Sequence, residues 1–99
     1  MQADKTYGEK TGPVDHVDEA AALRFDPAEN RAPRVVAAGF GNLAREIVSV
    51  ARQNGTPVIR DPELSVLAAR LPVGREIPEN LYHVIAGLFG LVYRLKQNQ

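Results

Sequence analysis

Two groupings in this chain bring together residue types that could do chemistry. Val35-Val36-Ala37-Ala38-Gly39-Phe40-Gly41-Asn42-Leu43-Ala44 satisfies Gly-x-Gly-x-x-Ala between a β-branched run and a helical pattern, and Asp61 follows about 20 residues later with Arg60 beside it. On its own this reads as a small dinucleotide-binding domain. Backbone N–H groups and a helix N-terminus would face a pyrophosphate, with Asp61 on a ribose hydroxyl or Arg60 on a 2′-phosphate. The second grouping is Asp15, His16, Asp18 and Glu19, whose oxygens and one imidazole suit a divalent ion. The other histidine, His83, falls on the polar side of a helical stretch with no triad around it and reads as a solvated side chain.

The elements that would position these groups follow from periodicity and punctuation. Residues 1 to 18 are polar, hold Gly8, Gly12 and Pro13, and show no sustained period, so they read as a flexible N-terminal tail ahead of one domain over 19–97. Ala20 to Phe25 and Arg34 to Ala38 read as strands, and the link between them carries Pro27 and Pro33, where a missing N–H costs no ladder bond. A helix is predicted from Leu43 to Asn54 with Leu43, Ile47, Val50 and Ala51 inward, stopped by Gly55. Pro57 to Ile59 reads as a third strand, reached through a right-handed βαβ crossover. Asp61-Pro62-Glu63 is a helix start, with a capping carboxylate, proline at the first helical position and a second acid near the positive end of the dipole. That helix should bury Leu64, Leu67, Ala68 and Leu71 before Pro72 and Gly74 end it, and Pro78 opens a last helix running to Lys96. The expected fold is therefore α/β: a small mixed β-sheet with a βαβ crossover, packed by three helices, the last one long.

This architecture weakens both chemical readings. No strand is predicted after Ile59, so the sheet lacks the switch-point crevice that holds a dinucleotide, and Asp61 has a simpler task as a helix cap. The acidic cluster lies in the tail with no second shell to orient its ligands, so no metal and no cofactor are expected.

Composition sets the outer limits. A chain of 99 residues with 44% hydrophobic content can bury one modest core. Twelve basic and twelve acidic side chains cancel, so no net field favours nucleic acid or an anionic membrane. The absence of cysteine excludes a disulfide framework and thiolate chemistry, which suits a reducing compartment. No apolar run approaches the ~20 residues that span a bilayer, and the start has no basic and then apolar leader pattern, so a soluble cytoplasmic chain is expected.

The last helix carries more apolar surface than a core stripe needs. At about 100° per residue, Leu81, Val84, Ile85, Leu88, Val92 and Leu95 form the inward stripe, while Tyr82, Ala86, Phe89 and Tyr93 make a second strip on one shoulder. That shoulder either widens the core contact or meets a partner.

Ala21-Ala22-Leu23-Arg24-Phe25-Asp26-Pro27, Ala32-Pro33-Arg34-Val35-Val36-Ala37-Ala38-Gly39, Gln53-Asn54-Gly55-Thr56-Pro57-Val58-Ile59-Arg60-Asp61-Pro62-Glu63-Leu64 and Gly74-Arg75-Glu76-Ile77-Pro78-Glu79-Asn80-Leu81-Tyr82 occur in that order. In these blocks and their spacing the chain resembles the cytoplasmic domain of the FlhB family, the substrate-specificity switch proteins of flagellar and type III secretion export. Family members carry a membrane-embedded half before this domain, so the chain reads as a stand-alone paralogue of the domain or an excised piece. The resemblance implies a partner patch built from Ala32, Pro33, Ala86 and Phe89. It also places the family's self-cleaving Asn-Pro-Thr-His in register with Asp15, His16, Val17 and Asp18. An aspartate lacks the amide nitrogen that attacks the backbone carbonyl, and no X-Pro bond follows it, so that reaction is not expected and the chain is not read as an enzyme. The family's usual lysine before the glycine at position 39 is Ala38 here.

The function implied is a non-catalytic binding module of a flagellar or type III export apparatus, acting in the cytoplasm at the inner-membrane export gate. Its expected partners are export-apparatus proteins, export substrates or their chaperones, with no nucleic acid and no membrane insertion. A structural role is the other class: a fragment that completes a truncated membrane-embedded FlhB-type partner through the sheet edge left by a missing N-terminal strand.

Overall fold

The computed structural model describes residues 17–29 and 31–97. Strand β1 spans Glu19–Arg24 and strand β2 spans Arg34–Phe40. Between them Asp26 starts a single 3-10 turn over Pro27–Glu29: its carboxylate accepts the Ala28 N–H at 3.0 Å and its carbonyl accepts the Glu29 N–H at 3.1 Å. The strands pair antiparallel from Glu19 opposite Phe40 to Arg24 opposite Arg34. Ala22 faces Ala37 but Leu23 faces Val35, so Val36 is the extra residue of a β-bulge and is turned out, 47% exposed. The bulge keeps Leu23 and Val35 on one face of the sheet.

Helix α1 (Gly41–Gln53) follows β2 directly. It ends in a Schellman motif, in which Gly55 at φ +71° donates to the Arg52 carbonyl and Thr56 donates to the Ala51 carbonyl at 2.8 Å. Helix α2 (Pro62–Ala68) starts as the sequence indicates, with Pro62 in its first turn and the Asp61 carboxylate accepting the Leu64 N–H at 3.1 Å. Helix α3 spans Glu79–Gln97.

Two clusters make the core. Val35, Ile77, Leu81 and Ile85 are buried together, bordered by Leu23, Ala32, Ala38, Leu64, Leu71 and Phe89. Ala20, Ala44 and Val48 form the other, bordered by Val17 and Ile47. The alternation along β1 assigns one cluster to each face, so the hairpin lies between α1 and α3. This is what lets a two-stranded sheet, marginal alone in water, persist.

The α/β class and the three helices with a long last one stand; four details of the expected packing do not. Pro57–Ile59 is not a strand: among the described residues the sheet has two strands, both antiparallel, so there is no mixed sheet and no βαβ crossover closed by pairing. On α1 the buried residues are Ala44 and Val48, while Leu43 and Val50 are exposed, because the helix approaches the small Ala20–Gly39 pair and only small or β-branched side chains fit there. On α2 Leu67 points to solvent, since the helix is only seven residues long and Leu64, Ala68 and Ala69 already cover the core. On α3 Val84 is exposed, and Leu88 and Val92 are only half-buried beside an open groove.

Candidate partner-binding site

The glycine-rich turn is spent on the fold. Gly39 is a buried β2 residue, and a Cβ there would fall 2.5 Å from Leu43 Cδ2, so the glycine exists to let Leu43 lie over the strand. Gly41 takes φ +60° at the start of α1, and its N–H donates to the Asp18 carbonyl at 2.9 Å. Asp61 caps α2. The atoms a dinucleotide would need at these three positions therefore serve the chain itself, and the dinucleotide-binding alternative has no structural support.

Of the residues in register with the cleavage motif, Asp15 and His16 lie outside the described residues. Val17 packs against the α1-side core, and Asp18 is exposed with its carbonyl held by Gly41. His83 is exposed on α3, with its ring edge-on to Tyr82 at 5.8 Å.

The α3 shoulder is a graded surface. Tyr82, Ala86, Phe89 and Tyr93 recur at i, i+4, i+7 and i+11 on one face. Tyr82 and Tyr93 are 39% and 41% exposed, Ala86 is half-buried, and Phe89 is half-buried against the core. Phe89 is further held by Phe25, ring centroid to ring centroid 5.3 Å. Ala32 borders the same core cluster as Phe89. Pro33 does not reach the surface: it is fully buried, with its carbonyl accepting the Ile77 N–H at 2.8 Å. It can shape the patch from below and cannot itself touch a partner.

Beside this shoulder, Phe89 and Tyr93 also line a groove of about 630 Å³. Its floor and walls come from β1, the Thr56–Asp61 segment and all three helices. Periodicity could not reveal it, because it lies where the expected third strand stands apart from β1.

The model of the FlhB HrpN YscU SpaS family matches residues 15–92. The chain belongs to that family. YlqH of Bacillus subtilis is 37% identical over 82 residues, which is 83% of this chain and 88% of that relative. The flagellar biosynthetic protein FlhB of Aquifex aeolicus is 39% identical over 74 residues, or 74% of this chain but 21% of the relative, so the chain spans about a fifth of the FlhB proteins it matches. Among solved structures, the cytoplasmic domain of FlhB from Shewanella putrefaciens superposes with a TM-score of 0.74 at 29% identity, covering 83% of this chain and 69% of that one. The PscU C-terminal domain, at 24% identity, shares the fold with a TM-score of 0.70 over 76% of this chain and 96% of its own. The chain thus has the fold of the cytoplasmic domains of a flagellar and type III export family. Among its described residues no helix is long and apolar enough to cross a membrane.

Proposed function

We propose that the chain is a non-catalytic binding module of a flagellar or type III protein-export apparatus, an FlhB-like switch-domain paralogue that acts in the cytoplasm at the export gate and contacts export substrates, their chaperones or gate components. Family membership supports the apparatus, and the observation that carries the binding role is the α3 shoulder. Two half-exposed tyrosines flank Ala86 and the anchored Phe89 on a single helix face, an amphipathic aromatic surface of the kind that dominates protein interfaces. Ala32 extends it across the core rim. The absence of catalysis rests on sequence: Asp15-His16 stands where the family's cleavage needs Asn-Pro.

The experiment measures binding of purified export substrates, chaperones and gate proteins to the chain by calorimetry, beside the thermal melt of each variant. Tyr82→Asp and Tyr93→Asp should leave melting within a few degrees, because both side chains are exposed and exposed positions shift stability by ~0.5 kcal/mol or less. Each should weaken binding at least tenfold. Unchanged binding by both folded variants would move the partner surface off α3.

A further inference from the structure

The hairpin closes on a cluster of like charge. Arg24 and Arg34 are its last cross-strand pair and stand directly opposite each other, an arrangement whose repulsion destabilises a sheet. Arg31 of the link joins them around a pocket of about 390 Å³. Arg24 and Arg31 make no hydrogen bond or ion pair among the described residues, and Arg34 spends one N–H on the Gly74 carbonyl at 2.6 Å, leaving its other donors unused there. Two acids share the rim without pairing with any of these guanidiniums among the described residues. The Asp26 carboxylate accepts the Ala28 N–H, and the Glu29 carboxylate accepts nothing there.

We infer that this pocket takes one carboxylate side chain, a glutamate or aspartate within a segment of a partner protein, held between the guanidiniums of Arg24, Arg31 and Arg34. Charge selects it. Three guanidiniums stand against two carboxylates, so a single added carboxylate balances the pocket, whereas a dianionic phosphate or a nucleic-acid backbone brings charge in excess beside Asp26 and Glu29. The backbone donors that a phosphate would draw on are also taken, since the Ala28 and Glu29 N–H groups both bond to Asp26. The neighbour of the acid is set by Ala32 and by Val36, which the β-bulge turns outward onto the pocket wall, so a small apolar residue fits beside it. The chain's own first sixteen residues suit the pocket poorly. They join β1 at the end away from Arg24, and Asp4 and Glu9 are each followed by a lysine that the arginines repel. The inference goes beyond the α3 shoulder, because none of Tyr82, Ala86, Phe89 and Tyr93 lines this pocket and Ala32 alone belongs to both surfaces.

The test uses the full chain and three fluorescent peptides, Gly-Ala-Ser-X-Val-Ser-Gly, in which X is glutamate, glutamine or phosphoserine. Anisotropy at low salt should show the glutamate peptide binding at least fivefold more tightly than either of the others, with its advantage over glutamine shrinking at high salt. Arg24→Gln and Arg31→Gln remove guanidiniums that bond to nothing within the described chain, so both variants should fold. Arg24→Gln also removes the like-charge pair and should melt at or above the temperature of the parent. Each variant should bind the glutamate peptide at least fivefold more weakly. Equal affinity for the glutamate and glutamine peptides would overturn the inference, as would tighter binding of phosphoserine, parent-like affinity in both arginine variants, or no saturable binding at all. So would a melt of Arg24→Gln well below the parent, since that guanidinium would then be spent within the chain. Tyr82→Asp and Tyr93→Asp should bind the glutamate peptide as the parent does, which separates this result from failure of the α3 surface.

Discussion

Gly39 and Gly41 satisfy one motif together, yet the structure gives them unrelated tasks that mutagenesis can separate. A Cβ on Gly39 would sit 2.5 Å from Leu43 Cδ2, 2.8 Å from its Cγ and 3.2 Å from its Cβ. Gly39→Ala therefore forces the whole Leu43 side chain to swing or α1 to lift from β2. Overpacking of this kind costs ~1–3 kcal/mol, and the reduced freedom of the unfolded alanine chain returns ~0.4–1, leaving a net loss of roughly 1–2 kcal/mol. For a domain of this size that lowers Tm by roughly 4–16 °C. Leu43 is half-exposed, so Leu43→Ala alone should cost less than about 1 kcal/mol. In the double variant the obstruction is gone, and the two changes should couple favourably by about 1–2 kcal/mol. Gly41→Ala meets nothing within 4 Å but must hold φ +60°, a strain of ~1–2 kcal/mol that Leu43→Ala cannot relieve. Urea denaturation of the parent, the three single variants and the two doubles measures all of this, read at constant slope. If Gly39→Ala is no less stable alone than with Leu43→Ala, the packing account of Gly39 is wrong.

Two further outcomes are expected. Asp61→Ala should lose ~1 kcal/mol by removing the acceptor of the Leu64 N–H, while Asp61→Asn, which keeps an oxygen there, should lose only a few tenths; equal losses in the same urea series would remove the capping role. Purified protein incubated for days should keep its intact mass, because Asp15-His16 lacks both the amide nucleophile and the X-Pro bond; spontaneous fragments split between residues 15 and 18 would contradict the non-catalytic reading.

Much of the fold was legible because its signals are local. Asp61-Pro62 announces a helix start and Gly55-Thr56-Pro57 a helix stop through backbone chemistry that needs no tertiary partner, and both appear as expected. The burial of individual helix positions was less legible, because it depends on how closely elements approach. Leu43 and Val50 have the right period for a core face, but the flat Ala20–Gly39 surface draws Ala44 and Val48 inward instead. Pro33 shows the same limit from the other side. A proline after an alanine in a polar link reads as surface, and only the Ile77 N–H on its carbonyl and the closing of 74–77 over β2 reveal that it is buried.

The Val58-Ile59 pair carries the remaining disagreement, and that disagreement is informative. Its composition is that of a strand, with a proline before it and a helix cap after it, yet among the described residues its backbone pairs with nothing. Strand propensity records fitness for a pleated, half-buried place, and such a place needs a neighbour on at least one side. β1 presents a bare edge across the groove, so both backbones fit a neighbour that the described residues do not supply. Two exposed apolar residues and an open edge invite non-specific pairing, which a chain avoids with charge, proline or a covering segment. Here 74–77 covers β2, and Pro57 and the charged Arg60 stand on the far lip of the groove. Strand composition at Val58-Ile59 therefore calls for a pairing neighbour that the described residues do not contain, which is why propensity indicates a third strand there and the sheet holds two.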